Sequence, residues 1–193
     1  MCIRDSTKGF DFAGVSLVGI LNADNLLNNP DFRAAERAFQ LMMQVAGRAG
    51  RRDDGGEVVI QTSEPGHPVI RQVAAGDFEG MARAQLAERK AFFYPPYARL
   101  TSLTLRHRDP SVLRNGVMDL AARLRTRFGR RLLGPMTPPV DRIREEYITE
   151  FLLKIESGAS ASRAREVLRE VLRQTLGAKE FQTVTLSCDV DPQ

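Results

Sequence analysis

Tryptophan is absent from this 193-residue chain, and cysteine and histidine occur only twice each. Cys2 and Cys188 lie at opposite ends with no CxxC pair, so neither a disulfide framework nor a cysteine zinc site can be built from them. A reducing, cytoplasmic setting is the matching expectation. His67 in "PGHP" and His107 in "LRHRD" have no triad partner nearby in sequence, and they read as surface or structural residues rather than catalytic ones. Long apolar runs are missing too. The longest, "AGVSLVGIL" at 13–21, is too short to cross a bilayer and reads as a buried strand. No charged-then-apolar leader precedes a small-residue cleavage site, so neither a secretory signal nor a membrane partner is expected. The pattern GxxxxGK[ST] does not occur either, and without it the chain cannot build a phosphate-cradling P-loop by itself.

What is present is the composition of an ordinary globular protein, 42% hydrophobic and 27% charged, long enough for one domain or two small ones. The net charge of +4 is unevenly spread. Residues 1–97 carry 11 Lys+Arg against 12 Asp+Glu, whereas residues 98–193 carry 17 against 12. The positive excess of the second half points to a polyanionic partner there.

Along the chain, the opening "MCIRDS" shares no periodicity with the rest and reads as a non-native scar at 1–6. "GVSLVGIL" predicts a fully buried strand of a parallel sheet. A helix is expected from about Phe32 to Ala46, with Asp31 as N-cap and Ala35, Ala38, Met42 and Val45 on one face. The strand "EVVIQT" comes next, and then a helix over about 77–91 with Phe78, Met81, Ala82 and Leu86 on one side. "FFYPPY" at 92–97 stops that helix and marks a domain boundary. It reads as a packed hinge or as an aromatic platform on which bases stack. Beyond it, the order is strand "LTSLTLR", helix from Pro110 capped by Asp109, strand "RLLGP", strand "YITEFLLKIE", helix 160–176 and strand "QTVTLSCDV". In the last strand Val184, Leu186, Cys188 and Val190 are expected to point inward. The expected fold is therefore α/β, with a parallel-sheet part over 7–97 and a βαββαβ, ferredoxin-like domain over 98–193.

Two stretches carry candidate chemistry. "QVAGRAGR" at 44–51 sets Arg48 and Arg51 three apart among glycine and alanine. Such a stretch can be a helix ending, with arginines complementing the negative end of the dipole. It can equally hold two planar cationic forks on close-packed backbone, ready to grip phosphate oxygens. "RLRTRFGRR" supplies Arg123, Arg125, Arg127, Arg130 and Arg131, either a phosphate-contacting patch or a solvated helix face.

"TKGFDF" together with "QVAGRAGR" resembles motifs V and VI in the second RecA-like lobe of DEAD/DEAH-type helicases. The longer stretches "DFRAAERAFQLMMQVAGRAGR", "EVVIQTSEPGHP", "AERKAFFYPPYARL", "LLGPMTPP" and "DVDP" are similar to the bacterial primosomal protein N′ family of replication-restart DNA helicases. The resemblance runs from Thr7 to Pro192. It implies that Arg51 is an arginine finger reaching the γ-phosphate of ATP on another lobe. Arg48 would be its companion, and Gln44 the leading glutamine that sets the site. It places Gly9, Asp11 and Gly47 at the nucleotide edge, and Thr7 and Lys8 where the lobe approaches DNA. The Arg123–Arg131 cluster then becomes a surface for forked or single-stranded DNA. Single-strand-binding protein and other primosome proteins are the implied partners. ATP and Mg would need a nucleotide-cradling lobe that is missing here, and the zinc of the family has no ligands in this chain. A fragment of an ATP-dependent 3′-5′ helicase, inactive alone, is the expectation. The alternative is a non-enzymatic nucleic-acid-binding module with a helicase-like lobe.

Overall fold

The structure is a computed structural model that describes residues 15–49 and 56–192. The chain divides into two compact units, one ending at Ala91 and the other beginning at Phe92. Both are mixed α/β. Among the described residues no helix is long and apolar enough to cross a membrane.

In the first unit, β1 (Leu17–Ile20) and β2 (Glu57–Ile60) pair in parallel, with Leu17 opposite Glu57 and Ile20 opposite Ile60. The crossover between them contains the short α1 (Asp24–Leu27) and the longer α2 (Ala34–Ala46). Parallel pairing requires such a crossover, since a two-residue turn can only return the chain antiparallel. In α2, Ala34, Ala38, Phe39, Met42 and Val45 are buried, the stripe that a 3.6-residue period puts on one side. Asp31 is not the N-cap that the sequence suggests, because α2 begins two residues later than expected and its N-cap is Arg33, which makes no side-chain capping bond. The Asp31 Oδ1 accepts from the Arg33 N–H at 2.9 Å and its Oδ2 pairs with Arg37, while the helix itself starts at Ala34.

Two helices close this unit, α3 (Pro68–Ala75) and α4 (Phe78–Ala91). No element expected from the sequence corresponds to α3. His67 caps it, its Nδ1 accepting from the Val69 N–H at 3.2 Å. Pro68 opens it, and Gly76 ends it at φ +65°, where a side chain is strained. Val69, Ile70 and Val73 join the α2 core.

The second unit holds a five-stranded antiparallel sheet. Its strands are β3 (Ala98–His107), β4 (Leu132–Met136), β5 (Arg142–Ile143), β6 (Glu146–Glu156) and β7 (Thr185–Val190). Their order is β4-β6-β3-β7, with the two-residue β5 also pairing β6. The helices α5 (Pro110–Phe128) and α6 (Ala161–Leu176) supply the second layer. Asp109 caps α5 by accepting from the Ser111 N–H at 2.7 Å, with Pro110 at the first helical position. Leu113, Val117, Leu120, Leu124 and Phe128 form a buried stripe along α5, packed on Leu103, Leu105, Phe151 and Leu153 of the sheet.

Ala98 and Leu100 are also buried, but they alternate to the opposite side of β3 from Leu103 and Leu105. Lys154 stands opposite Leu100 in the ladder. Its ammonium lies 3.5 Å from the centroid of the Tyr94 ring and donates to the Phe92 carbonyl at 2.9 Å. The Ser157 hydroxyl donates to the Pro96 carbonyl at 2.6 Å. Residues 92–97 are thereby tied to the end of β6. Burial in this setting holds the Lys154 pKa below its ordinary value.

Three burial expectations need correction. β1 is not fully buried: Leu17 is 59% exposed and only Ile20 of its four residues is buried, because β2 is its one partner among the described residues. On α4, Met81 is buried whereas Phe78 and Leu86 are exposed, Phe78 keeping only a tilted ring contact with Phe39 at 6.3 Å. In β7, Leu186 is half-buried against the core, but Cys188 and Val190 are exposed. Among the described residues β7 pairs with β3 alone, at the edge of the sheet, and the helical layer's apolar cover ends near Leu186.

The register of α5 has a direct check. Leu124→Ala should cost about 2–5 kcal/mol in urea unfolding of the second unit. Met118→Ala, on the same helix but 60% exposed, should change stability by no more than about 0.5 kcal/mol. Equal costs would mean that α5 is rotated from the face described.

Candidate functional site

Of the residues singled out for nucleotide contact, Gln44, Gly47 and Arg48 are described, whereas Gly9, Asp11 and Arg51, like Thr7 and Lys8 expected near DNA, lie outside the described residues. The three sit at the C-terminal end of α2. Gly47 is its C-cap, with φ −64° and ψ 1°, and its N–H reaches the carbonyls of Met43 and Val45. A Cβ built at Gly47 would meet the Met43 carbonyl at 3.4 Å, an ordinary contact, so neither strain nor crowding inside this helix demands glycine there. The Arg48 N–H donates to the Val45 carbonyl at 3.0 Å.

Gln44 lies in the last turn of α2 and Arg48 just past its C-cap, the glutamine exposed and the arginine half-buried. A helix C-terminus carries the negative end of the dipole, so its backbone alone repels anions. Attraction for a phosphate at this end must come from the side chains. One guanidinium and one amide cannot cradle a triphosphate, but they can contribute to a site completed from elsewhere.

The arginine cluster at the end of α5 is less free than its sequence implies. Arg123 pairs with Asp119 at 2.9 Å, one turn earlier on the same helix. Arg125 donates to the Gly134 carbonyl at 2.7 Å. Arg131 Nε donates to both oxygens of Glu156, at 3.0 and 2.8 Å. That hydrogen bond holds the Glu156 carboxyl below its ordinary pKa. Arg127 and Arg130 are exposed and have no ion-pair partner among the described residues. Arg125 has a structural task because Gly134 sits at φ +104°, with an added Cβ only 2.8 Å from the Glu150 carbonyl. The guanidinium holds in place a backbone segment that only glycine can form.

Sequence reasoning passed over two features. At the carboxyl ends of β1 and β2, where open parallel sheets receive ligands, Asp24 accepts from the Thr62 hydroxyl, the Ser63 N–H at 2.9 Å and the Ser63 hydroxyl at 2.7 Å. The Thr62 bond leads in lowering the Asp24 pKa. These bonds join the loops after the two strands and occupy the carboxylate with the chain's own donors. The second feature is a cleft of about 380 Å³ between the start of α5 and the β4–β6 region, lined by Leu113, Arg114, Val117, Tyr147 and Ile148 among others. No signal in the sequence marks it, since its walls come from three separate segments.

His107 ties the end of β3 to the cap of α5 and to the approach to β7. Its Nδ1 accepts from the Asp109 N–H at 2.9 Å, and its Nε2 lies 3.0 Å from the Thr183 hydroxyl. Among the described residues no group of three or more His, Cys, Asp and Glu side chains is placed to hold a metal ion.

Residues 90–193 match the family model described as the primosomal protein N C-terminal domain. The replication restart protein PriA of Bacillus subtilis (strain 168) is 35% identical over 187 residues, which is 96% of this chain and 23% of that protein. That of Treponema pallidum (strain Nichols) is 39% identical over 190 residues, 96% of this chain and 28% of that protein. That of Haemophilus influenzae (strain ATCC 51907 / DSM 11121 / KW20 / Rd) is 35% identical over 188 residues, 96% of this chain and 25% of that protein. The chain thus spans about a quarter of the length of these curated relatives.

The pairing of Arg131 is testable by titration. Glu156 has a depressed folded pKa, so its stabilising contribution is present above the unfolded carboxylate pKa and fades as pH falls through the folded value. Both partners are more than a third exposed, so water screens the pair and the energy is small. Arg131→Ala should raise the Glu156 titration midpoint toward the ordinary carboxylate range, as monitored by NMR of the side-chain carboxyl. An unmoved midpoint would show that Arg131 does not set it.

Proposed function

We propose, from the premise that this chain belongs to the primosomal protein N C-terminal domain family, that it forms the C-terminal part of an ATP-dependent DNA helicase. The parent enzyme would recognise stalled or branched replication forks and restart replication by primosome assembly. The observation that carries this reading is similarity over 96% of the chain, through both units, to replication restart proteins.

In this reading the first unit is the distal part of a second RecA-like lobe, and its parallel β1–β2 pair with a helical crossover supports that. The second unit is ferredoxin-like. Two interleaved βαβ halves put their first and third strands side by side at the centre and the other two outside them. The order β4-β6-β3-β7 agrees with that arrangement.

Gln44 and Arg48 contribute at the end of α2 to a nucleotide site whose cradle lies on another lobe, with Gly47 keeping that helix end slim. Arg51 is the finger, and Gly9 and Asp11 form the nucleotide edge. Thr7 and Lys8 approach the DNA strand. When bound, ATP with Mg supplies the phosphoryl group whose transfer drives movement. A positioned arginine stabilises charge on that group, worth on the order of 10³–10⁵ in rate. The family's zinc would be held outside this chain. Forked or single-stranded DNA, single-strand-binding protein and other primosome proteins are the partners, in the cytoplasm, with 3′-5′ travel. The missing GxxxxGK[ST] pattern favours one alternative, a nucleic-acid-binding module without turnover of its own.

The purified chain should show no DNA-stimulated ATP hydrolysis, and measurable turnover would overturn the division of labour described. In the intact parent protein, Arg51→Ala should lower DNA-stimulated ATPase by about 10³-fold or more while ATP binding persists. Unchanged turnover there would remove Arg51 from the finger role.

A further inference from the structure

The arginines outside the helicase-like motifs and the α5 cluster are arranged more regularly than those within them. On α6, Arg165, Arg169 and Arg173 fall at i, i+4 and i+8, and all three are exposed. At 1.5 Å per residue the row advances about 6 Å per step and about 12 Å in all. It borders the apolar stripe of Leu168, Val171 and Leu172 that packs toward the sheet, so the helix cannot rotate the row away without exposing its core. The row is also uncompensated by any ion pair among the described residues. Glu166 pairs with Arg163 at 3.7 Å, and Glu170 accepts from Gln174 at 3.1 Å. Neither glutamate ion-pairs with the row. Arg165 Nε donates to the Ala161 carbonyl at 3.3 Å, which steadies the stem of an exposed side chain.

We propose that this row is a contact surface for the phosphate backbone of single-stranded DNA, each guanidinium taking a separate phosphate. The inference rests on the DNA-binding reading under Proposed function and names the surface that does the binding. Planar arginine forks suit phosphate oxygens, and a rigid helix fixes the spacing between them at no further ordering cost. Contacts of this kind read no base, so affinity is independent of sequence and steeply dependent on salt.

The test is fluorescence anisotropy of the full chain with a labelled single-stranded oligonucleotide over a series of salt concentrations. Arg165→Ala/Arg169→Ala/Arg173→Ala should weaken binding about tenfold or more and make the log–log salt slope shallower by about 2, near 0.7 per phosphate released. The triple Lys variant, which keeps the charge, should retain a slope close to the original. Glu166→Gln/Glu170→Gln should tighten binding, which a loss of folding cannot imitate. If the unaltered chain binds and the Ala variant matches it in affinity and slope, the row is overturned while the DNA-binding reading stands. If the unaltered chain does not bind at all, that reading falls for this chain and the row falls with it.

Discussion

The second unit depends on one act of burial, the seating of α5 on the central strands of the sheet. Leu103, Leu105, Leu120, Leu124, Phe151 and Leu153 are all within 2% of complete exclusion from water. Buried side chains of this size each contribute about 1.5–3 kcal/mol relative to exposure. That layer fixes the rotation of α5, and the rotation decides where every charged side chain on it must go. Arg123, Arg125 and Arg127 are outside because Leu120, Leu124 and Phe128 are inside. The basic character of this half is therefore a surface property, imposed by a core in which Thr175 is the one buried polar residue among the described residues.

Much of this was legible because period and punctuation agreed. The α5 stripe, its Asp109–Pro110 start, and the alternation of Phe151, Leu153 and Ile155 all translate directly into observed elements. The mixed α/β character and the parallel pairing of β1 with β2 derive from the same signals. α3 was missed although its punctuation was present, Pro68 at the start and Gly76 just past the end. Eight residues carry only two turns of periodicity, and a proline beside a histidine reads as a loop when no long stripe comes after it. The overestimate of burial at β1 and β7 has a different origin. An apolar run or a strict alternation reports what a strand can bury, whereas actual burial depends on whether a neighbour covers it, which lies elsewhere in the chain.

The candidate sites divide along the same line. A motif names residue types at a spacing, and that survives in the sequence. Which arginines remain free to bind something is a property of partners brought from afar. Glu156 is 25 residues from Arg131, and the Gly134 carbonyl reaches Arg125 only because β4 folds back beside α5. The most arginine-dense stretch of the chain is for this reason not its least compensated surface.

Compensation is a better guide than density because a guanidinium whose terminal nitrogens or charge are already engaged must give up that partner before it can serve a phosphate, losing most of the gain. Among the described residues the α6 row has no carboxylate to surrender, and Arg165 commits only its Nε to a carbonyl. Its flanking glutamates are engaged with Arg163 and Gln174, and its orientation is held by the same apolar layer that stabilises the unit. Packing thus does for the row what it does not do for the α5 cluster. It presents three exposed charges at fixed intervals. Such an arrangement is costly in self-repulsion unless an anion of matching spacing is available. A polyphosphate strand meets that condition, whereas a single carboxylate or an isolated phosphate meets it at only one of the three positions.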